Sequence, residues 1–264
     1  MTGKSSSSDH TPFTGAEDVL RPLRASAAPL LVWHGAGGER VELSGRVFDN
    51  WVAKSANLLA EEYDVEPGTA VVLDLPPHWK SLALAFAAWQ RGAEVRVDPS
   101  APGDLLVTDR PTELLGLRAD AGASGGEVLA VALGSLAPAY DGDLPPGAVD
   151  FAAEVRGYGD LCEPESTLPA GPSLQTADGA EVTYDELFRG TAPSGGAGDG
   201  LEERLPAGGG TAALATESLE RALRVAVALF RRNDALVLFG RDRTGAGVEA
   251  SQRLLDQEGA TVLV

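Results

Sequence analysis

Hydrophobic positions along the chain switch repeatedly between strand-like runs and helix-like spacing. Between residues 29 and 43 an apolar run, Leu30-Leu31-Val32-Trp33, is followed by Gly35-Ala36-Gly37-Gly38 and then Val41-Glu42-Leu43. That order predicts a β-hairpin across a glycine-rich turn. Ser44 stands where a helix N-cap belongs, and Val47, Phe48, Trp51, Val52, Leu58 and Leu59 then share one helical face, ending before Pro67-Gly68. Residues 70–75 form a run broken only by Asp74, the pattern of a strand covered on both faces, and Pro76-Pro77 stops it. A helix is predicted over 78–91 with Gly92 ending it. Strands are predicted over 94–97, 105–108 and 128–133, with a helix over 112–118. The alternation predicts an α/β fold of layered, mainly parallel sheets flanked by helices.

The second part of the chain is less regular. A short helix is expected over 150–156, and the proline-containing stretch 163–172 reads as a linker, dividing possible subdomains 13–160 and 173–264. Residues 173–187 look like a second hairpin, because Pro-x-Leu followed by Gly-x-x-Val occurs in both places. Convergent hairpin chemistry is the preferred reading of that similarity, with a true internal duplication as the alternative. A glycine-rich loop over 191–210 precedes a helix at 216–232, a strand at 235–239, a helix at 248–257 and a strand at 261–264.

Charge and composition narrow the function. A formal charge of -18 opposes nucleic acid or an anionic membrane as partner, since both are bound largely through Lys and Arg contacts. Cys162 is the single cysteine, and His10, His34 and His78 are the only histidines, so no metal-ligand spacing appears and no structural metal is expected. Residues 1–12 are polar and read as a disordered tail without the apolar stretch of a secretory signal. The longest apolar run, 82–89, is far below the roughly 20 residues that span a bilayer. A cytoplasmic protein is expected.

A family resemblance is carried by residues 41–99. The order of a Leu-rich helix, Val65-Glu66-Pro67-Gly68-Thr69, Leu73-Asp74-Leu75-Pro76, Arg91-Gly92-Ala93 and Asp98-Pro99 resembles the N-terminal text of the adenylate-forming (AMP-binding, acyl-CoA synthetase-like) superfamily. Thr69 stands where that family usually has Asp, and Pro77 where it has Asn. The resemblance implies the fold of the N-terminal lobe of an acyl-CoA synthetase, and similarity to short bacterial AMP-binding-like proteins. It places the family's phosphate-binding loop near 174–187, with Thr176, Asp178, Gly179 and Thr183 as vestigial nucleotide-binding candidates. That loop's lysine has no counterpart here. Asp178 and Glu181 would repel a triphosphate, against the usual attraction of backbone N–H groups for such an anion.

These departures imply a noncatalytic relative, a truncated pseudoenzyme without catalytic residues, metal or cofactor, that binds a small molecule or a protein partner, with a homo-oligomer among the expected assemblies. One alternative is an ATP- and Mg-dependent ligase that uses a separate C-terminal lobe. The other is an unrelated doubly wound nucleotide-binding protein. The remaining signals read as structural. Gly3-Lys4-Ser5 lacks the glycine spacing of a phosphate loop. Residues 240–247, with Arg241 and Arg243, read as an ordinary strand-to-helix loop. His78 reads as a surface or capping histidine, and Cys162, beside Asp160 and Glu163, as an inert thiol. Trp33, Trp51, Trp79 and Trp89 read as packing residues.

Overall fold

A computed structural model describes residues 15–120, 122, 126–134, 137–191, 205–206, 209–240, 247 and 249–263. The predicted tail, Gly3-Lys4-Ser5, most of the 191–210 loop, and Arg241 and Arg243 lie outside the described residues.

The chain opens with α1 (Ala16–Leu23), then the hairpin β1 (Pro29–His34) and β2 (Arg40–Ser44), and α2 (Gly45–Tyr63). Ser44 accepts a hydrogen bond from the Val47 amide at 3.3 Å and so starts α2 as its position predicts. Next come β3 (Ala70–Asp74), α3 (Trp79–Gln90), β4 (Glu94–Arg96), β5 (Leu105–Thr108), α4 (Pro111–Asp120), β6 (Glu127–Ala130), the two-residue β7 (Val149–Asp150) and α5 (Phe151–Glu154). A second hairpin, β8 (Pro172–Gln175) and β9 (Glu181–Thr183), leads into α6 (Tyr184–Arg189). Then follow β10 (Thr211–Thr216), α7 (Leu219–Phe230), β11 (Ala235–Gly240), α8 (Gln252–Glu258) and β12 (Ala260–Val262).

Two sheets result. One runs β12-β10-β11-β1-β2 and the other β7-β6-β5-β3-β4-β8-β9. Pairing is parallel except within the two hairpins, as the alternation predicts.

The hairpins exchange places. The first hairpin joins the sheet built from the late strands, and the second joins the sheet built from the early ones. Their registers agree in detail. Leu31 pairs with Leu236 of β11 and Leu174 with Val95 of β4, and both hairpins shift register immediately after their proline, between Pro29 and Leu31 and between Pro172 and Leu174.

The repeat extends past the hairpins. Ala70 pairs with Glu94, and Thr211 pairs with Ala235 at the same sequence separation. Gly68 (φ 96°) and Gly209 (φ 86°) precede the two leading strands, and Gly92 (φ 73°) and Asn233 (φ 57°) end the two helices in the left-handed region. The Glu94 amide donates to Thr69 O, and the Ala235 amide to Gly210 O, both at 2.9 Å. Matching at this level exceeds what independent hairpin chemistry supplies. The molecule is two copies of one hairpin-helix-strand-helix-strand plan, interlocked by exchanged hairpins.

The second hairpin corrects one expectation. It ends at Thr183, because Thr183 Oγ1 accepts from the Glu186 amide while the Glu186 carboxylate accepts from the Thr183 amide. This capping box turns residues 184–187 into helix instead of strand.

The shared core lies where α3 and α7 pack. All residues of α3, including Lys80, Ser81 and Gln90, are buried, so this helix has no solvent face. Phe86 meets Phe48 at 5.4 Å and Phe230 at 5.9 Å, while Trp89 meets Phe188 at 5.2 Å. These ring contacts join the first unit's helices to those of the second. Trp33, Trp79 and Trp89 are buried and Trp51 is half-buried, in keeping with packing roles.

Candidate functional site

Each hairpin places a turn at the carboxyl ends of its sheet's parallel strands, the edge where open α/β sheets take ligands. The second turn holds the candidates named by the family resemblance. Thr176 donates its hydroxyl to the Asp178 carboxylate and, at 3.0 Å, to the Ala180 carbonyl. The Thr176 amide donates to Ala180 O at 2.9 Å, the Gly179 amide to Thr176 O at 3.0 Å, and the Ala180 amide to Asp178 Oδ1 at 3.3 Å. Gly179, at φ 84°, supplies the left-handed residue that closes so tight a turn.

Thr183 is spent on capping α6. The turn therefore brings Thr176, Asp178 and Gly179 together, sets Thr183 on the neighbouring strand end, and satisfies their polar groups internally. Hydrogen bonds from Thr176 and Ala180 hold the Asp178 carboxyl below its ordinary range, so the turn presents a carboxylate at neutral pH.

The first turn is built differently. A short 3-10 turn, Ala36–Gly38, lifts the chain away from the end of β1, and a cleft of about 130 Å³ lies beneath it. Its walls are Trp33, Ala36, Pro76, Pro77, Leu133, Gly134 and Gly240, with Glu39 and His78 as the polar members. The cleft thus gathers the ends of β1, β3 and β11 with the chain that follows β6. Gly240 permits the close approach: a Cβ there would stand 2.4 Å from Pro77 O and 2.6 Å from Trp33 Nε1. Trp33 Nε1 donates to the same Pro77 carbonyl at 3.4 Å.

His78 is the polar centre. It is a capping residue, as expected, but a buried one, with 2% of its surface exposed. Nδ1 accepts from the Lys80 amide at 3.0 Å and caps α3. Burial, and then the charge of Lys80, hold the imidazole well below its usual range, so the ring is neutral. With Nδ1 accepting, the proton of the neutral ring sits on Nε2. The Leu133 backbone carbonyl is its hydrogen-bonding partner, and that interaction opposes the downward shift. The Trp33 ring stands edge-on at 4.1 Å.

Lys80 supports the cleft wall from behind. Its ammonium, almost fully buried, donates to Ala132 O at 2.5 Å and Gly134 O at 2.9 Å, fixing the chain after β6. Burial pushes it down to about 8, aided by Arg156 and opposed by Glu39 and Asp150. Cys162 is half-buried, and its thiol is pushed up first by burial, with Glu165 and Glu17 adding and Arg91 opposing. The acidic neighbours that matter are thus not Asp160 and Glu163. Among the described residues, no cluster of three or more His, Cys, Asp or Glu side chains is arranged to hold a metal, and no helix is long and apolar enough to cross a membrane.

Sequence reasoning missed the cleft. The signal was available in Pro77-His78-Trp79-Lys80, where two ionisable residues interrupt an otherwise apolar stretch. Nothing local showed that Trp33, Leu133 and Gly240 would converge on it.

No protein-family profile matches the chain. A "TIGR03089 family protein" of Mycobacterium tuberculosis (strain ATCC 25618 / H37Rv) is 35% identical over 192 residues, covering 71% of this chain and 75% of that protein. Among solved structures, an acyl-CoA synthetase of Brucella canis superposes with a TM-score of 0.72 at 18% identity, covering 96% of this chain and 47% of that one. A mutant of the amide bond synthetase Mcba of Marinactinospora thermotolerans gives 0.64 at 16%, covering 94% and 47%. The acetoacetyl-CoA synthetase of Streptomyces lividans gives 0.64 at 15%, covering 86% and 38%. The chain spans about half the length of these synthetases, or less, and its fold is that of the acyl-CoA synthetase N-terminal lobe. The described residues thus form two sheets of synthetase-like order and not a single doubly wound sheet.

Proposed function

The chain belongs to the TIGR03089 family, and from that premise we propose that it is a noncatalytic binding module of synthetase fold, acting in the cytoplasm on a small molecule or a protein partner. One observation carries this reading. The turn from Thr176 to Ala180, where the resemblance places the phosphate loop, uses its amide and hydroxyl groups on itself.

A phosphate cradle works through backbone N–H groups left free to point at the anion. Here the Thr176, Gly179 and Ala180 amides are already donated. Asp178, charged and exposed, adds repulsion where a triphosphate would lie. Opening the turn would break several hydrogen bonds before any phosphate contact formed. No lysine stands between Thr176 and Thr183 to compensate.

The test is turnover. Purified protein incubated with ATP, Mg²⁺ and a panel of carboxylic acids is expected to release no pyrophosphate above the protein-free rate. Acyl-adenylate formation with any acid, whether by the chain alone or after addition of a separate synthetase C-terminal lobe, contradicts the proposal and makes the chain a working ligase component.

A further inference from the structure

We propose that His78 and Lys80 form a pH-sensitive clamp on the chain that follows β6, holding residues 132–134 against the start of α3 at neutral pH and loosening them when Lys80 loses its proton. The clamp is independent of whether the chain binds a nucleotide, and so of the binding-module reading.

Three observations support it. First, two ionisable side chains at one helix start take three successive carbonyls. Lys80 Nζ donates to Ala132 O at 2.5 Å and to Gly134 O at 2.9 Å, and the Leu133 carbonyl between them accepts from His78 Nε2. Residues 131–133 belong to no helix or strand, so side chains of α3 satisfy carbonyls that lie past the end of β6. Leu133 and Gly134 line the cleft under the first turn, and the clamp therefore fixes one of its walls.

Second, the fold does the same job elsewhere with a permanently charged group. Arg118, 3% exposed, bridges the Pro99 and Ala101 carbonyls at 3.1 and 2.7 Å. Lys80 is one of three lysines among 21 basic residues. An arginine keeps its proton at physiological pH, whereas a buried lysine sheds it readily. The helix start of the second copy is built differently: two residues after its Ser218 cap, α7 carries Glu220, paired with Arg224 of the same helix.

Third, the surroundings set the direction. Lys80 is 4% exposed, and burial is the main cause that brings its ammonium down to about 8. Glu39 of the first turn and Asp150 of β7 favour the charge, Arg156 after α5 opposes it, and the Trp79 ring lies 5.4 Å from Nζ. His78 stays neutral in this range, so Leu133 remains held while its neighbours loosen. A lysine in the unfolded chain titrates near about 10.4, above the folded value, so raising the pH through 8 favours the fold as a whole. Charge-assisted bonds are roughly twice as strong as neutral ones, and the same rise weakens the grip on Ala132 and Gly134. The segment thus loosens without unfolding.

The experiment follows the whole ¹³C,¹⁵N-labelled protein by NMR from about pH 6.5 to about pH 9.5. The carbonyl carbons of Ala132 and Gly134 are expected to move together with Lys80 Cε, at a midpoint of about 8, while the Leu133 carbonyl moves less. The Ala137 amide donates to Gly134 O at 3.1 Å, and its protection from hydrogen exchange is expected to fall about fivefold to tenfold over the same range. Lys80→Met, which keeps the length without the charge, is expected to show the low protection at both ends and no midpoint.

A Lys80 midpoint at the value of a free lysine overturns the proposal. So do carbonyl carbons that fail to follow Lys80, or Ala137 protection that stays constant through the titration, as a purely structural lysine would leave it. All three are read on the wild-type protein and need no variant to fold. Protection in Lys80→Met equal to that of the wild type at neutral pH overturns it as well.

Discussion

The two hairpin turns occupy equivalent places in two copies of one plan, yet one is closed and the other stands over a cleft. In the turn from Thr176 to Ala180 a short polar sequence folds on itself, with Thr176 and Asp178 serving as each other's partners and Gly179 allowing the reversal. In the turn from Gly35 to Glu39 the Gly35 amide donates to Glu39 O at 3.0 Å, and a 3-10 segment, Ala36–Gly38, lies between them. The helices beneath differ too. Ser218 caps α7 with a hydroxyl, whereas His78 caps α3 with a buried imidazole. The resemblance to adenylate-forming enzymes directs attention to the second turn.

The largest expected effect tests whether the two copies are one cooperative body. Phe86 touches Phe48, Phe188 and Phe230, spanning both units. Phe86→Ala is expected to cost about 3–5 kcal/mol through lost burial and the cavity left behind. Urea unfolding followed by tryptophan fluorescence and by circular dichroism should show one coincident transition at lower midpoint. Two separated transitions would show that the units fold independently.

The next effect contrasts equivalent strand positions. Asp74, near the end of β3, is 4% exposed and accepts from Thr108 Oγ1 at 2.8 Å and from Arg110 at 2.9 and 3.0 Å. Its register counterpart in β10 is the exposed Ala215. Asp74→Ala strands a half-buried guanidinium and a buried hydroxyl, at an expected cost of about 2–4 kcal/mol. Ala215→Ser is expected to change stability by less than about 0.5 kcal/mol. Denaturation midpoints of the two variants measure the asymmetry directly, and equal costs would erase it.

The smallest effect is a pH dependence of the His78 cap beneath the first turn. The folded protein holds His78 neutral, while the unfolded chain binds a proton as pH falls through about 6.5. The folded pKa is the lower one, so this contribution is full above pH 6.5 and is lost as pH drops below it. The loss is up to about 1.4 kcal/mol per pH unit until the buried ring itself protonates. Comparing unfolding free energies at pH 7.0 and 5.5, His78→Asn should lose less than the wild type. Identical losses would place the imidazole in contact with water and weaken the case for the cleft.

How much of this was written in the sequence depends on the range of each interaction. Ser44 and the apolar face of α2, the run ending at Pro76-Pro77, and the strand at Leu105–Thr108 are set by neighbours a few residues away, and local pattern reading placed them well. The start of α6 at Tyr184 was missed, although Thr183 and Glu186 spell a capping box, because the apolar pattern across residues 182–187 suits either element. The duplication was visible only as two short matching motifs. Its proof lies in pairings such as Leu31 with Leu236 and Leu174 with Val95, made across the whole chain. For the same reason the cleft was not legible. It joins Trp33, His78, Leu133 and Gly240, four residues from four separated segments, and no spacing rule connects them.

The central claim is that the closed second turn does not hold a nucleotide. Its most direct measurement is a titration of the ¹⁵N-labelled protein with Mg-ATP, reading the backbone amides of Thr176, Asp178, Gly179 and Ala180 beside the calorimetric heat. The expected result is no saturable shift at these amides and no heat beyond dilution. A saturable movement of the Gly179 and Ala180 amides, showing that the turn opens to receive the phosphates, would contradict the account.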